Sequence, residues 1–196
     1  MTANHEAFDS PIPFGRDPAL DIWKRRLAKL SSSVVSIREA AATPQDGRRV
    51  WDLQLMCSPI TPRSVRDNVS MITERTVLLA EIGHVHVGFC ASFAGPSETD
   101  PIFVQLVGVV TEAQRLGVGL ALLTAAAERD PLRDIAMATL DENIQARALN
   151  DRFASSIGAT IRRVPRGTYP DRHLGIRRGD GYRAWIIRRP SSLVLG

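Results

Sequence analysis

The sequence predicts an α/β (α+β) protein with a mixed sheet and helices on its faces. Its 196 residues are enough for one well-buried core and too few for two ordinary domains. The composition, 44% hydrophobic and 23% charged, is typical of soluble globular proteins and excludes general disorder or a disulfide scaffold. Strand and helix periodicities follow each other in the order β, α, α, β, β, β, α, β, α, β, β, which favours a mixed sheet.

The first 32 residues are predicted to form a tail and an amphipathic helix ahead of a domain at 33–196. Residues 1–16 contain two Pro and one Gly and read as a loose tail. Asp17-Pro18 then offers an N-cap followed by proline at the first helical position. The apolar residues that come next recur on one helical face, and they are Leu20, Trp23, Leu27 and Leu30.

The domain itself is predicted to begin with one strand and two helices. Ser33 to Arg38 is short and rich in β-branched residues, which is typical of a strand. Thr43-Pro44 has the same cap chemistry as the first helix start, and a helical pattern runs from there to about Cys57. Ser58-Pro59 breaks this pattern, and Thr61-Pro62 restarts it.

From Thr76 onward the hydrophobic period is that of strands, with a hairpin turn at Gly83-His84. Beyond this hairpin, strands and helices alternate to the C-terminal quarter. These elements are predicted as a strand at 102–110, a helix at 117–129, a strand at 135–140, a helix at 143–158, and strands at 159–164 and 182–189.

Positive charge is concentrated near the C-terminus. Residues 152–196 hold ten Arg against Asp171 and Asp180, a balance of +8 within a total of +4, so that residues 1–151 stand at −4. This asymmetry favours an anionic ligand, nucleic acid included, without choosing one.

Export, membrane insertion and metal binding are not predicted. The chain starts with neither a basic nor an apolar segment, and no stretch approaches the roughly 18 apolar residues of a membrane span. We therefore expect a cytoplasmic protein, in which Cys57 and Cys90 are reduced core thiols. His84 and His86 have the spacing of one strand face, but no third ligand accompanies them.

The most informative segment is the loop from Gln114 to Ala121, between a predicted buried strand and a helix. Gly117 and Gly119 let backbone N–H groups approach a ligand closely, and the helix N-terminus adds about half a positive charge. Such a loop favours phosphate. The same glycines also fit a plain strand-to-helix turn that needs small residues for packing.

Dinucleotide-binding folds place a similar loop, G-x-G-x-x-G, between a strand and a helix, with an acidic residue about 20 positions further on. Asp141 stands at a fitting distance. However, Leu122 replaces the third glycine, and residues 111–116 separate the strand from Gly117. A dinucleotide loop has no room for this insertion, so a nicotinamide dinucleotide is the weaker hypothesis.

The loop, V-x-x-x-x-Q-R-L-G-V-G-L-A-L-L, resembles the acetyl-CoA signature R/Q-x-x-G-x-G/A of the GNAT superfamily of N-acyltransferases. The element order from Ser33 to Arg189 is also similar to that of the family. The resemblance implies a mostly antiparallel central sheet of six to seven strands, about four flanking helices, and an N-terminal helix as an extension. It further implies that acetyl-CoA donates an acetyl group to a primary amine by direct attack in a ternary complex, without a metal.

The resemblance assigns the CoA site to two neighbouring segments. The exposed backbone of a strand that splays from its neighbour at a bulge would pair with the pantetheine arm, a role that falls on Val109, Val110 and Thr111. Backbone amides of the following loop would cradle the pyrophosphate, with a side-chain donor from its first two residues. The loop residues are Gln114, Arg115, Leu116, Gly117, Val118, Gly119 and Leu120.

The resemblance also carries over to the next helix. Asn143 matches a family asparagine that binds the pantetheine arm or positions the acceptor, and it also fits an N-cap. A tyrosine commonly follows in the family and protonates the departing thiolate, but here Leu149-Asn150 or, in another alignment, Phe153-Ala154 stands in its place. Asn150 can hydrogen-bond the sulfur or the pantetheine, although it cannot act as a general acid.

A neutral amine is needed for attack, and Glu81 on the hairpin is the carboxylate predicted to serve as its base. The acceptor, a small amine or peptide, is expected between the first two domain helices and the C-terminal strands. Its predicted walls are Trp51, Gln54 and Arg63 on one side and Tyr169, His173 and Tyr182 on the other.

A non-enzymatic alternative remains open. The missing tyrosine and the excess of arginine are compatible with a GNAT-like module that senses CoA or binds nucleic acid through residues 152–189. The neutral phosphate loop argues against nucleic acid as the main partner, and a homodimer stays open.

Overall fold

A computed structural model describes residues 17–30, 34–177 and 179–190. The predicted tail at 1–16 and the first residue of the first predicted strand, Ser33, lie outside this part of the chain. The helices of the described residues are α1 (Pro18–Leu27), α2 (Pro44–Met56), α3 (Val65–Glu74), α4 (Val118–Ala127), α5 (Ile144–Ser156) and α6 (Asp171–Leu174). The strands are β1 (Ser36–Glu39), β2 (Thr76–Ile82), β3 (Val85–Ala94), β4 (Ile102–Val109), β5 (Ile135–Leu140), β6 (Thr160–Arg163) and β7 (Tyr182–Arg188).

These strands form a seven-stranded sheet in the order β1-β2-β3-β4-β5-β7-β6. The pairing of β4 with β5 is parallel, and the other neighbours in the sheet are antiparallel. The predicted mixed, mostly antiparallel sheet is therefore confirmed.

Helices cover both faces of this sheet. A Cβ added at Gly88 of β3 would meet Val118 and Leu122, which places α4 on one face, and α5 packs beside α4. A Cβ added at Gly108 of β4 would meet Cys57 and Ile60, so α2 and the segment after it cover the other face. The main hydrophobic core lies between these layers.

Side-chain caps set three helix starts where the sequence predicts them. Asp17 accepts backbone N–H bonds at α1, Thr43 at α2 and Asn143 at α5. The start of α3 is different, because its N-cap is Ser64 rather than Thr61. The backbone N–H of Arg63 donates to the buried Gln54 Oε1 at 2.9 Å, which holds the preceding segment out of the helix.

Helix α1 belongs to the same core as the rest of the domain. Trp23 and Leu27 are 5% and 1% exposed and join the main hydrophobic cluster. The Trp23 ring stacks on His86 of β3 with 4.7 Å between centroids, and its Nε1 donates to the His86 carbonyl oxygen at 3.0 Å. In the described residues no helix has the length and apolar character needed to span a bilayer.

The sequence pattern does not predict helix α6. Its four residues lie in a loop rich in Arg and Gly that has no helical period, so the sequence signal was absent. Leu174 is buried in a second apolar cluster, and the helix lies against β4 and β5. Tertiary packing therefore decides that this segment is helical.

Candidate functional site

The sheet opens between β4 and β5. These two strands pair only over Ile102–Val104 and Ile135–Met137. Beyond Val104 and Met137 each strand continues without pairing to the other, which leaves the facing backbone groups free for a ligand. This separation is the one that the resemblance implies for the strand before the loop.

A bulge lies at the start of this opening. Ala91 pairs with Leu106 and Ser92 with Val104, so Gln105 is the extra residue on β4. The Gln105 Nε2 donates to the carbonyl oxygens of Arg172 and His173 at 2.8 and 3.1 Å, which fastens α6 across one face of the opening. Sequence reasoning missed Gln105, and its only signal was an amide in an otherwise apolar strand.

The loop between β4 and α4 presents a row of free backbone donors. Within the described residues, none of the six N–H groups from Arg115 to Leu120 donates a backbone hydrogen bond. The groups on either side do: Gln114 N donates to the Thr111 oxygen and Ala121 N to the Gly117 oxygen. A row of free N–H groups at a helix N-terminus is suited to an anion such as a phosphate.

Backbone conformation gives this loop its shape. Arg115 and Gly117 both have left-handed φ values, +66° and +80°, so the chain turns twice before α4 begins. Such alternation points successive N–H groups into one concavity. The Gln114 Nε2 donates to the Val109 oxygen at 3.4 Å and ties the loop to the end of β4. Residues 114–117 of the loop are exposed, Val118 packs under the helix, and Gly119 and Leu120 are half-buried.

The two glycines of the loop have different surroundings. A Cβ at Gly117 would meet nothing within 4 Å, so only its left-handed backbone favours glycine there. A Cβ at Gly119 would lie 2.9 Å from Leu149 Cδ2, because this glycine lets α5 pack against α4. The sequence could not separate a phosphate role from a packing role, and Gly119 carries the packing role.

A groove of about 690 Å³ begins at the loop and follows α4 on the side of β1. Gly117 and Leu120 line its start and Arg129 its far end, where Arg129 pairs with Glu39 at 2.8 Å. The loop is thus accessible from the α4 face of the sheet.

No protein-family model matches the chain. A similar curated protein is the L-2,4-diaminobutyric acid acetyltransferase of Shouchella clausii, which is 31% identical over 96 residues, 47% of this chain and 53% of the relative. The corresponding enzyme of Vibrio cholerae is 28% identical over 95 residues, 47% of this chain and 55% of that protein. The chain thus spans about half the length of the curated relatives it matches.

Solved structures match over more of the chain. A diaminobutyrate acetyltransferase from Paenibacillus lautus, in complex with L-2,4-diaminobutyric acid and coenzyme A, superimposes with a TM-score of 0.64 at 22% identity over 80% of this chain and 95% of that one. A putative acetyltransferase of the GNAT family from Desulfovibrio desulfuricans gives 0.57 at 19% identity over 78% and 98%. The chain has the GNAT fold.

Two asparagines lie on the helix that follows the opening of this GNAT fold. Asn143 caps α5, its Oδ1 accepting from Ala146 N at 3.0 Å, so the predicted capping role is confirmed. Asn150 lies two turns further along α5 and is 5% exposed, and it makes no side-chain hydrogen bond within the described residues. Their predicted roles toward the pantetheine or the sulfur stay predictions.

Glu81 lies two strands away from the opening, at the end of β2. Its Oε1 accepts from Arg38 Nε at 3.1 Å, and Arg38 also donates to Asp46 on α2. The carboxylate therefore has a structural partner on β1. The role of Glu81 as a base stays a prediction, and this ion pair weighs against it.

The predicted acceptor wall on the helix side is mostly structural. Gln54 is 1% exposed, and its amide exchanges hydrogen bonds with Asn68 of α3 at 3.0 and 3.2 Å. It therefore joins α2 to α3 rather than facing a cleft. Trp51 is half-buried beneath the Arg48 guanidinium, 4.5 Å from the ring centroid, and Arg63 is exposed.

Two of the three residues predicted for the opposite wall line one cavity, and the role of this wall toward an acceptor stays a prediction. Tyr169 and Tyr182 line a cavity of about 740 Å³ beneath the loop between β6 and β7. Burial raises the pKa of Tyr169, whose ring meets Phe103 edge-on. His173 packs against Phe103 and Phe93 in the same aromatic cluster, on the face of the sheet covered by α6.

The histidine pair of the hairpin does not form a metal centre in the part of the chain described. His84 is exposed in the turn, whereas His86 stacks on Trp23 with its Nε2 3.4 Å from Asp52. Among the described residues no three His, Cys, Asp or Glu side chains group as metal ligands.

Proposed function

We propose that the protein transfers the acetyl group of acetyl-CoA to a primary amine of a small acceptor. The observation that carries this proposal is the row of six free N–H groups from Arg115 to Leu120 beside the opening between β4 and β5. A pyrophosphate fits such a row of donors, and the free strand edges fit an extended arm with amide groups. Acetyl-CoA supplies the activated thioester.

This placement indicates which residues bind each part of CoA. Backbone N–H groups of the α4 loop bind the pyrophosphate, helped by the side chain of Arg115, which is exposed. The end of β4, from Val109 to Thr111, runs along the pantetheine arm. Asn143 and Asn150 lie on the α5 side of the same opening and hold the arm and its sulfur.

Direct attack by the amine is favoured over an acyl-enzyme. Burial raises the pKa of both Cys57 and Cys90 to about 12, with a small further contribution from Glu112 at Cys57. Both thiols are therefore protonated at neutral pH, and a protonated buried thiol is a poor nucleophile. The acetyl group passes straight to the amine in a ternary complex.

A small diamino acid is the acceptor class we propose, because both curated relatives are named for L-2,4-diaminobutyric acid. The cavity lined by Tyr169 and Tyr182 has room for such a molecule and carries Arg166 and Arg177 at its lining. Arginine suits the carboxylate of an amino acid.

The test combines binding and turnover. Calorimetry should show acetyl-CoA binding, and thiol release should rise with L-2,4-diaminobutyrate above the rates with lysine, spermidine or a peptide amine. No binding of acetyl-CoA at millimolar concentration would sink the proposal, whereas turnover confined to peptides would overturn only the acceptor class.

A matched pair of glycine variants tests the phosphate loop. Gly117→Glu puts a carboxylate beside the proposed pyrophosphate and should weaken CoA binding at least tenfold through like-charge repulsion. Gly158→Glu is its control, because Gly158 is also left-handed, with φ +64°, exposed and without a neighbour within 4 Å. Equal binding by the two variants would argue against phosphate at this loop.

A second candidate function is CoA binding without catalysis. The observation that favours it is the absence of a phenol at the α5 positions that could protonate sulfur, which hold Leu149, Asn150, Phe153 and Ala154. Turnover of any amine in the panel would exclude this candidate.

Contacts within the fold weigh against the alternative that the protein binds nucleic acid through its basic C-terminal segment. Arg183 pairs with Asp141 at 3.1 Å and Arg188 with Asp134 at 3.7 Å. Arg189 donates to the carbonyl oxygens of Arg133 and Ala127, both at 2.7 Å. These three arginines of the basic segment therefore have structural partners. A steep salt-dependent affinity for generic DNA or RNA would restore this alternative.

A further inference from the structure

Unpartnered polar atoms gather around the opening of the sheet. Within the described residues, five buried side-chain nitrogen or oxygen atoms lack a hydrogen-bond partner, and four of them belong to β4, β5 and β7. Buried polar atoms are nearly always satisfied in native proteins, so a water or a ligand bound at the opening would supply the missing bonds. These four atoms are Gln105 Oε1, Thr139 Oγ1, Trp185 Nε1 and Arg183 Nε, the last of which lies 3.1 Å from Asp141 Oδ2 in an ion pair without hydrogen-bond geometry.

Thr139 differs from Gln105 and Arg183, whose side chains have other polar partners. Gln105 donates through its Nε2, and Arg183 pairs with Asp141 and donates through its Nη1 to the Gly181 oxygen. Trp185 Nε1 also has no partner, but its large ring has a packing role of its own, with the Arg147 guanidinium 5.5 Å from the ring centroid. Thr139 is 8% exposed, and its single polar atom has no hydrogen-bond partner among the described residues. A valine in that position would leave nothing unsatisfied.

The position of Thr139 places its hydroxyl beside the opening. Met137 is the last residue of β5 that pairs with β4, and Thr139 is two residues beyond it. Side chains two apart in a strand share a face, and Met137 pairs with Trp185, whose ring contacts Arg147 of α5, while Ala136 and Ala138 belong to the cluster on the α6 side. Thr139 therefore faces the α4 and α5 side, where Asn150 lies and where the phenol is missing.

We propose that the Thr139 hydroxyl donates a hydrogen bond to the sulfur of acetyl-CoA. This inference rests on the proposed function and deepens it. In the transfer, the amine nitrogen bonds to the carbonyl carbon, the carbon–sulfur bond breaks, its electron pair stays on sulfur, and the nitrogen loses one proton to water. The hydroxyl keeps its own proton and stabilises the thiolate, since hydrogen bonds to charged acceptors are the strong ones.

The first experiment compares two variants in the free protein. Thr139→Val keeps the shape of the side chain and removes the hydroxyl, and Thr139→Ser keeps the hydroxyl. Because the hydroxyl is buried without a partner, Thr139→Val should melt at the same temperature as wild type or up to about 4 °C higher. A structural hydroxyl would give the opposite result, a lower melting temperature.

The second experiment measures binding of CoA and of desulfo-CoA, which lacks the thiol. Wild type should bind CoA about three- to tenfold more tightly than desulfo-CoA, and Thr139→Val should bind both equally, as a coupled pair in a double-mutant cycle does. Thr76→Val, a threonine change on the distant β2, should keep the wild-type ratio. An unchanged ratio in Thr139→Val would overturn the assignment.

Turnover supplies the third readout. Thr139→Val should lower kcat about tenfold to a hundredfold with little change in the KM of the acceptor, and Thr139→Ser should recover most of the loss. Equal kcat values in Thr139→Val and wild type would overturn the assignment while leaving the proposed function intact. A wild type that binds no CoA would overturn both, so the two failures are distinguishable.

Discussion

At the scale of single residues, the loop from Gln114 to Leu120 shows that two nearby glycines can be required for different physical reasons. Gly117 is needed for a left-handed backbone in open space, whereas Gly119 is needed because Leu149 of α5 packs against it. The first reason concerns the loop and its proposed ligand. The second concerns the stability of the contact between α4 and α5.

A double-mutant cycle at this contact checks the packing role. Gly119→Ala should lower the free energy of unfolding by about 1–2 kcal/mol, because the new methyl group crowds Leu149. In a Leu149→Ala background the same change should cost close to nothing or stabilise, since the space is then free. Urea unfolding measures both values, and additive effects would mean that the two side chains do not compete.

At the scale of elements, α1 is joined to the domain by a chain of polar contacts as well as by its apolar stripe. Arg48 of α2 pairs with Asp17 at the N-cap of α1 and with Asp52 at 2.8 Å, and Asp52 faces His86 beneath Trp23. Although burial raises the pKa of Asp17, hydrogen bonds from Leu20 N and Arg48 outweigh it and leave that pKa below its ordinary value. Helix α1 is thus fixed at both its polar and its apolar sides.

Two adjacent substitutions in α1 test this attachment. Trp23→Ala should lower the free energy of unfolding by about 3–5 kcal/mol, because it removes a buried ring that stacks on His86. Ile22→Ala, in which the side chain is 51% exposed, should cost less than about 1 kcal/mol. Denaturant unfolding followed by far-UV circular dichroism gives both values. Similar small costs would mean that α1 contributes little to the fold.

At the scale of the whole molecule, one buried carboxylate links the edge of the sheet to the helical layer. Asp46 of α2 is 3% exposed and accepts from Arg38 of β1 and from Arg49, while Arg38 reaches Glu81 of β2. Hydrogen bonds from Arg38 dominate over desolvation and hold the pKa of Asp46 well below 3.8. A lowered folded-state pKa stabilises the protein at neutral pH, and this contribution is lost as pH falls below about 4.

The lowered pKa of Asp46 in the folded protein predicts how the free energy of unfolding depends on pH. Asp46→Asn should lower the free energy of unfolding by about 2–4 kcal/mol at pH 7, because it leaves Arg38 without its main partner. The difference from wild type should shrink as the pH is lowered from 5 to 3. Asp151→Asn, at an exposed position of α5, should show no such trend. A gap between wild type and Asp46→Asn that stays constant with pH would contradict this role.

Much of the secondary structure of this protein can be predicted from local signals in its sequence. Caps at Asp17, Thr43 and Asn143 and the alternation of apolar residues predict most elements near their observed bounds, because a cap or a period involves residues within one turn or one strand. The glycine loop and the order of elements likewise predict the sheet and the likeness to GNAT proteins.

Only the tertiary structure decides which groups are left free and which are not. The sequence cannot tell that Gln54 is buried against Asn68, that Glu81 pairs with Arg38, or that Gly119 contacts Leu149. Nor does it show that β4 and β5 part after three pairs, leaving Thr139 unpartnered beside the opening. These are contacts between residues far apart in the chain, and they depend on strand register and helix packing, which no local pattern encodes.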